Sequence, residues 1–193
     1  MSGCRPLSDR EISLVLSKFT NERDRCLFIV GLRTGLRISE LTGTRIEGKK
    51  IVYVGLRIRD VWQNGKVVET IWVRKYNVKG QTKSRDIPLH PEAKKAIKSY
   101  LTTLGKLDPD APLFQGISRF KAHRAFKDAF LRADLSGRLS THTCRKTYAE
   151  KVYRALKHDL LATKEALGHS DIRNTVLYLD VNKSRVKKAI LES

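Results

Sequence analysis

Apolar residues recur at helical spacing close to the start of the chain. Ser8 opens the pattern as an N-cap, with Glu11 three positions on as its capping-box partner. Ile12, Val15, Leu16 and Phe19 then fall on one helical face. A second helix is expected from about Glu22 to Thr34. Leu27, Phe28, Val30 and Leu32 give it a largely buried character, and Gly35 supplies a stop. A short helix from Ile38 to about Thr42 follows. The texture changes between Ile51 and Leu89. The β-branched runs Ile51 to Val54, Val67 to Val73 and Asp86 to Leu89 predict strands. Asn64-Gly65 is a two-residue hairpin signal, and Gly80-Gln81 suggests a second turn. This stretch therefore predicts a small antiparallel sheet of three or more strands. Helical texture returns at Pro91, a first-turn proline, and runs to about Leu104. Asp108 to Phe114 is a loop. Further helices are expected near Ser118 to Ala133, Thr141 to Leu156, Asp159 to Leu167, Asp171 to Leu179 and Lys183 to Leu191. Helices, a small sheet, then more helices make an α+β fold, mostly helical.

Charge narrows the class. Among 193 residues, 39 Lys+Arg oppose 20 Asp+Glu, a formal net charge of +19. A surplus that large calls for a polyanionic partner, and nucleic acid is the commonest. At 40% hydrophobic and 31% charged, the chain can build a core and is not of disordered composition. Cys4, Cys26 and Cys144 are odd in number, and no pair has metal-ligand spacing. Reduced thiols and a cytoplasmic location are the expectation, with Cys26 in the core. Met1 to Arg10 holds no apolar stretch of signal-peptide length. The longest apolar segment, Cys26 to Leu32, is broken by Gly31 and too short to cross a bilayer, so no membrane partner is expected.

Four separated pieces carry candidate chemistry. Thr34-Gly35-Leu36-Arg37-Ile38-Ser39-Glu40-Leu41 sets Arg37 after a glycine turn and at a helix start, where a guanidinium and backbone N–H groups can meet one phosphate. Alone, Arg37 and Glu40 also read as a surface helix pair. His142-Thr143-Cys144-Arg145 places an imidazole and a guanidinium on one helical face, although exposed polar residues of a first helical turn would look the same. Leu167-Gly168-His169-Ser170 is a helix end with a histidine directly after its stop, a pattern that capping alone could explain. Tyr178 lies among apolar neighbours, where a tyrosine is usually core.

Taken in order, Arg…His-x-x-Arg…Gly-His…Tyr, with Tyr178 nine positions after His169, resembles the tyrosine recombinase or phage integrase family. Thr34 to Leu41 looks like that family's first box and Thr141 to Leu179 like its second. The resemblance covers nearly all the chain from Ser8 onward and implies the family's catalytic domain. It implies that Tyr178 attacks the scissile phosphate, that Arg37 and Arg145 hold its non-bridging oxygens, and that His142 and His169 assist by hydrogen bonding and proton handling. A hairpin lysine would protonate the leaving 5′ oxygen: Lys79 beside the turn is the first choice and Lys83 the second. Glu40 would support the arginines. Phosphodiester cleavage builds negative charge on the phosphoryl oxygens, which fixed guanidiniums can stabilise. No acidic cluster suggests a Mg²⁺ site, so neither a metal nor a cofactor is expected.

Several points depart from the family pattern. Leu56-Arg57-Ile58-Arg59-Asp60 comes only after extra residues 43–55, which read as an inserted strand or hairpin. The family's N-terminal helical domain is absent from a sequence that starts almost at the catalytic domain. The chain is therefore expected to be a fragment or a minimal recombinase. Lys83, Arg85, Lys121, Arg124 and Lys127 are candidate contacts to double-stranded DNA, although a solvated helix face would explain the last three equally well. The tail, residues 182–193, reads as a short amphipathic helix that docks on a neighbouring protomer during self-association on DNA or packs on its own chain. The function implied is site-specific recombination through a 3′-phosphotyrosyl intermediate without metal or ATP. The alternatives are a type IB topoisomerase-like enzyme and a non-catalytic DNA-binding protein of the same fold.

Overall fold

The computed structural model describes residues 3–46, 51–53, 55–73, 84–179 and 191. The chain forms two compact units, residues 1–148 and 149–193.

The first unit opens with α1 (Asp9–Leu16). Ser8 Oγ accepts from the Glu11 N–H, and the Glu11 carboxylate accepts in return from the Ser8 N–H, which closes the expected capping box. Arg5 reaches the same carboxylate at 2.6 Å. α2 (Glu22–Thr34) starts at Asn21, whose side chain accepts from the Asp24 N–H, and stops at Gly35 in the left-handed region, as its sequence predicts. It is almost wholly buried because it lies against three other helices of the unit. α5 (Pro91–Thr102) and α6 (Arg119–Arg132) pack on it, together with the short α3 (Ile38–Thr42). Phe28 is the hub of this packing. Its ring meets Phe126 edge-on at 5.2 Å, and Phe19 and Phe130 at 5.2 and 6.1 Å.

The β-branched stretch forms three two-stranded antiparallel ladders among the described residues. β1 (Thr44–Ile46) pairs antiparallel with β2 (Ile51–Tyr53). A Cβ on Gly55 would lie 2.4 Å from both Gly43 N and Leu41 O, so the chain leaves and re-enters at nearly one point. A one-turn helix absent from the sequence expectation, α4 (Ile58–Val61), follows, with the Asp60 carboxylate accepting from the Arg57 N–H. β3 (Trp62–Gln63) and β4 (Lys66–Val67) flank the Asn64-Gly65 turn, as expected. Val67 to Val73 is not one strand. Val68 donates to Val61 O and Leu89 to Glu69 O, which separates β4 from β5 (Thr70–Val73). β5 then pairs with β6 (Arg85–Pro88), burying Ile71, Val73 and Ile87.

α7 (His142–Ala155) begins in the first unit and runs through its boundary. The second unit holds the rest of α7, α8 (Leu160–Leu167) and α9 (Ile172–Val176). Asp159 caps α8 by accepting from the Leu161 and Ala162 N–H groups. α9 is shorter than the expected Asp171 to Leu179. Its end tightens, with Tyr178 and Leu179 donating to the carbonyls of Thr175 and Val176, three residues back. Among the described residues no helix is long and apolar enough to cross a membrane.

The Arg5 guanidinium holds the Glu11 pKa down at about 2, assisted by hydrogen bonds from Ser8 and opposed by partial burial. A carboxylate depressed on folding stabilises the fold above its unfolded pKa. Urea unfolding of Glu11→Gln should therefore show its full deficit above about pH 4.5, and the deficit should vanish as pH falls toward 2.

Candidate active site

The site begins at the turn between α2 and α3. Thr34 ends α2 fully buried, and its hydroxyl donates to Val30 O. Gly35 then takes φ 62°, a conformation that favours glycine. A Cβ there would also lie 2.3 Å from Cδ1 of Tyr148, so the ring of Tyr148 lies directly on the turn. The turn exposes the Gly35 carbonyl to Arg145, whose Nη1 donates to it. Arg37 follows as the N-cap of α3, half-buried and three residues before Glu40.

Glu40 is the centre of the cluster. It is 1% exposed, and its Oε2 accepts from the Arg37 N–H at 2.5 Å. Its Oε1 lies 3.5 Å from Arg37 Nη1, and Oε2 lies 3.7 Å from Arg85 Nη2. A buried carboxylate is costly unless paired, and these two guanidiniums supply the pairing. Arg85 comes from β6, with a side chain 13% exposed. Burial and the charge of Arg37 lower its pKa, while Glu40 and Tyr148 raise it. A guanidinium keeps its proton near neutral pH under such opposed influences. Two cations around one carboxylate leave a net positive site.

α7 brings the other members. Ser140 Oγ accepts from the His142 N–H, and Thr143 Oγ1 accepts from the Ser140 N–H, which starts the helix. Arg145 follows three residues on, and its charge bears on His142. His142 keeps solvent access, yet partial burial and the charges of Arg145, Arg37 and Arg119 lower its pKa. Arg145 is 1% exposed and anchored on Gly35. Tyr148, one turn further, has its pKa raised by burial against the opposing pull of Arg85 and Arg145. The first unit therefore gathers Arg37, Glu40, Arg85, His142 and Arg145 into one cationic cluster.

The second unit gathers His169 and Tyr178. Gly168 ends α8 at φ 62°, and His169 donates its backbone N–H to Lys164 O. The His169 ring is buried, with Nδ1 2.9 Å from Thr175 Oγ1. The half-buried Tyr178 ring stands 5.3 Å from it, centroid to centroid, at a tilt of 42°.

The remaining candidates separate. Lys121, Arg124 and Lys127 are exposed on α6, opposite its buried face of Ala122, Phe126, Ala129 and Phe130. Lys121 Nζ folds back to Gly116 O at 3.2 Å. Arg85, expected as a DNA contact, turns inward to Glu40 instead. Lys79, Lys83 and, of the tail, residues 182–190, 192 and 193 lie outside the described residues. The sequence reading missed Tyr148, Thr175 and Arg119. Tyr148 follows Arg145 at helical spacing, a signal that could have found it. Arg119 stands 5.6 Å over the exposed ring of Phe120, and only the folded chain brings its charge to bear on His142. Among the described residues no group of three His, Cys, Asp or Glu side chains could hold a metal ion.

Comparison with known proteins gives the cluster a context. A family model described as the phage integrase family matches residues 8–185. The tyrosine recombinase XerD of Staphylococcus saprophyticus is 28% identical over 182 residues, covering 90% of this chain and 55% of that protein. The chain thus spans about half the length of that curated relative. The crystal structure of XerA recombinase aligns with a TM-score of 0.73 at 22% identity, over 98% of this chain and 64% of the other. XerH site-specific recombinase, solved bound to a palindromic difH substrate after cleavage, aligns with a TM-score of 0.69 at 24% identity, over 96% and 51%. These likenesses show the fold, a mostly helical domain with small antiparallel ladders.

Two outcomes follow from the geometry. Gly35→Ala should cost at least about 2 kcal/mol in urea unfolding, because a left-handed non-glycine backbone is strained and the new Cβ meets Tyr148. Tyr148→Ala in that background should restore part of the loss. The His142 imidazole should titrate below 6.5 by NMR, and Arg37→Ala should raise its pKa by removing a nearby positive charge.

Proposed function

This chain belongs to the phage integrase family, and on that footing we propose that it cleaves and rejoins double-stranded DNA at specific sites through a 3′-phosphotyrosyl intermediate. The observation that carries the proposal is the cluster of Arg37 and Arg85 on the buried Glu40, with Arg37 and Arg145 both bearing on His142. Fixed cations of this kind suit a phosphate that gains negative charge as a fifth oxygen approaches. Their charge is permanent near neutral pH, and their forked donors match phosphoryl oxygens.

Arg37 and Arg145 bind the non-bridging oxygens. The Tyr178 hydroxyl oxygen, in cis or from a neighbouring copy, bonds to phosphorus as the bond from phosphorus to the 5′ oxygen breaks. The phenol proton passes to a nearby base, and the leaving 5′ oxygen takes one proton from a lysine, for which Lys79 is the first candidate and Lys83 the second. His142 with a lowered pKa is suited to accept a hydrogen bond or a proton at neutral pH. Thr175 holds the His169 ring, so that ring is set beside Tyr178 rather than free to turn. The phosphotyrosyl ester conserves the energy of the broken strand. Attack by a free 5′ hydroxyl reverses the step and joins a new partner without ATP or a metal ion. The net charge of +19 supports DNA as partner, with Lys121, Arg124 and Lys127 as backbone contacts. Copies associate on the DNA, and the tail docks on a neighbouring protomer.

The test is a nicked DNA substrate that traps the covalent species, incubated in the presence of EDTA. Wild-type protein should form an adduct stable to denaturant, and Tyr178→Phe should form none while binding the DNA normally. An adduct with Tyr178→Phe would remove Tyr178 as the nucleophile.

A further inference from the structure

We propose that Arg85 is a positioning residue for the phosphate-binding guanidinium of Arg37, acting through the carboxylate they share, Glu40. This rests on the reading of Arg37 as a phosphate ligand. Arg85 lies 48 positions from Arg37 in the chain and on a different kind of element, a strand rather than a helix cap. Glu40 nevertheless lies between them. One oxygen faces Arg37 Nη1 at 3.5 Å, and the other faces Arg85 Nη2 at 3.7 Å while accepting the Arg37 N–H at 2.5 Å.

The stoichiometry explains why a second guanidinium is needed. A single carboxylate paired with a single arginine would neutralise it. Drawn fully onto that carboxylate, Arg37 would offer a phosphate little net charge and have its donors spent. Arg85 takes up part of the Glu40 charge from the other oxygen. Arg37 is then oriented by Glu40 without being cancelled by it. The side-chain exposures agree with this division of labour. Glu40 and Arg85 are 1% and 13% exposed, whereas Arg37 keeps 31% open to a ligand. The ladder of β5 and β6 fixes the Arg85 backbone at a register position, opposite Val73, and its guanidinium reaches Glu40 from there.

The experiment measures adduct formation at saturating nicked DNA, with a normal scissile phosphate or with a neutral methylphosphonate in its place. The methylphosphonate lacks the charge that Arg37 is there to meet. On normal phosphate, Arg85→Ala should form adduct about 10- to 100-fold more slowly than wild type, with DNA affinity within about twofold. On methylphosphonate that penalty should shrink to within about threefold, in parallel with Arg37→Ala. Arg85→Lys, which keeps a cation on β6, should recover part of the rate and carries the test if Arg85→Ala does not fold. An equal penalty on both substrates would mean a merely structural role and would overturn the proposal. So would a normal rate on normal phosphate, or lost DNA affinity with an unchanged rate at saturation, which would make Arg85 a DNA contact. If wild-type protein forms no adduct on normal phosphate, the reading of the site fails first and this proposal falls with it.

Discussion

The buried charge of Glu40 is the constraint on which the rest of the site depends. A carboxylate removed from water must be matched by cations and donors, or its burial destabilises the fold. Here the match comes from a backbone N–H, Arg37 and Arg85. The same interaction lets like charges stand together. Guanidiniums repel one another, and a shared anion at the centre lowers the cost of holding them close. The result is a surface with excess positive charge in fixed positions, which is what a phosphate ligand needs and what mobile surface lysines do not provide.

That arrangement has a mechanical side. Arg37 is set by a glycine turn, Arg85 by a strand ladder and Arg145 by a helix, so each guanidinium is held by a different kind of backbone. The turn is the most demanding. Gly35 must adopt a left-handed conformation, present its carbonyl to Arg145 and admit the ring of Tyr148. The aromatic packing around Phe28 anchors α2 below this turn by burying it against α6. Core packing therefore reaches the site through one continuous segment, from Phe28 through Thr34 to Arg37.

The second unit applies the same logic on a smaller scale. A glycine stop after α8 releases His169 from the helix, and the hydroxyl of Thr175 fixes its ring. The tightened end of α9 then sets Tyr178 beside that ring. An exposed tyrosine on a regular helix would rotate more freely.

Much of this was legible in the chain. The capping box at Ser8 and Glu11, the Gly35 and Gly168 stops and the Asn64-Gly65 turn are local signals, set by residues a few positions apart. Local chemistry suffices for them, and so helix limits such as Glu22 to Thr34 could be read directly. The spacing of His142 and Arg145 likewise put both on one face. What the sequence could not determine was the company each residue keeps. Arg85 read as one more basic residue after a lysine-rich stretch, and only the pairing of β5 with β6 turned it toward Glu40. Thr175 carried no signal, because its role is a hydrogen bond to a ring on the far side of a turn. The break between β4 and β5 was hidden for a similar reason, since backbone groups of Val68 and Glu69 bond to distant segments. Sequence alone determined most of the helices, the tight turns and the kinds of residue available for phosphate chemistry. The tertiary structure decided which charges share a partner, because charge pairing depends on distance in space and is indifferent to separation along the chain.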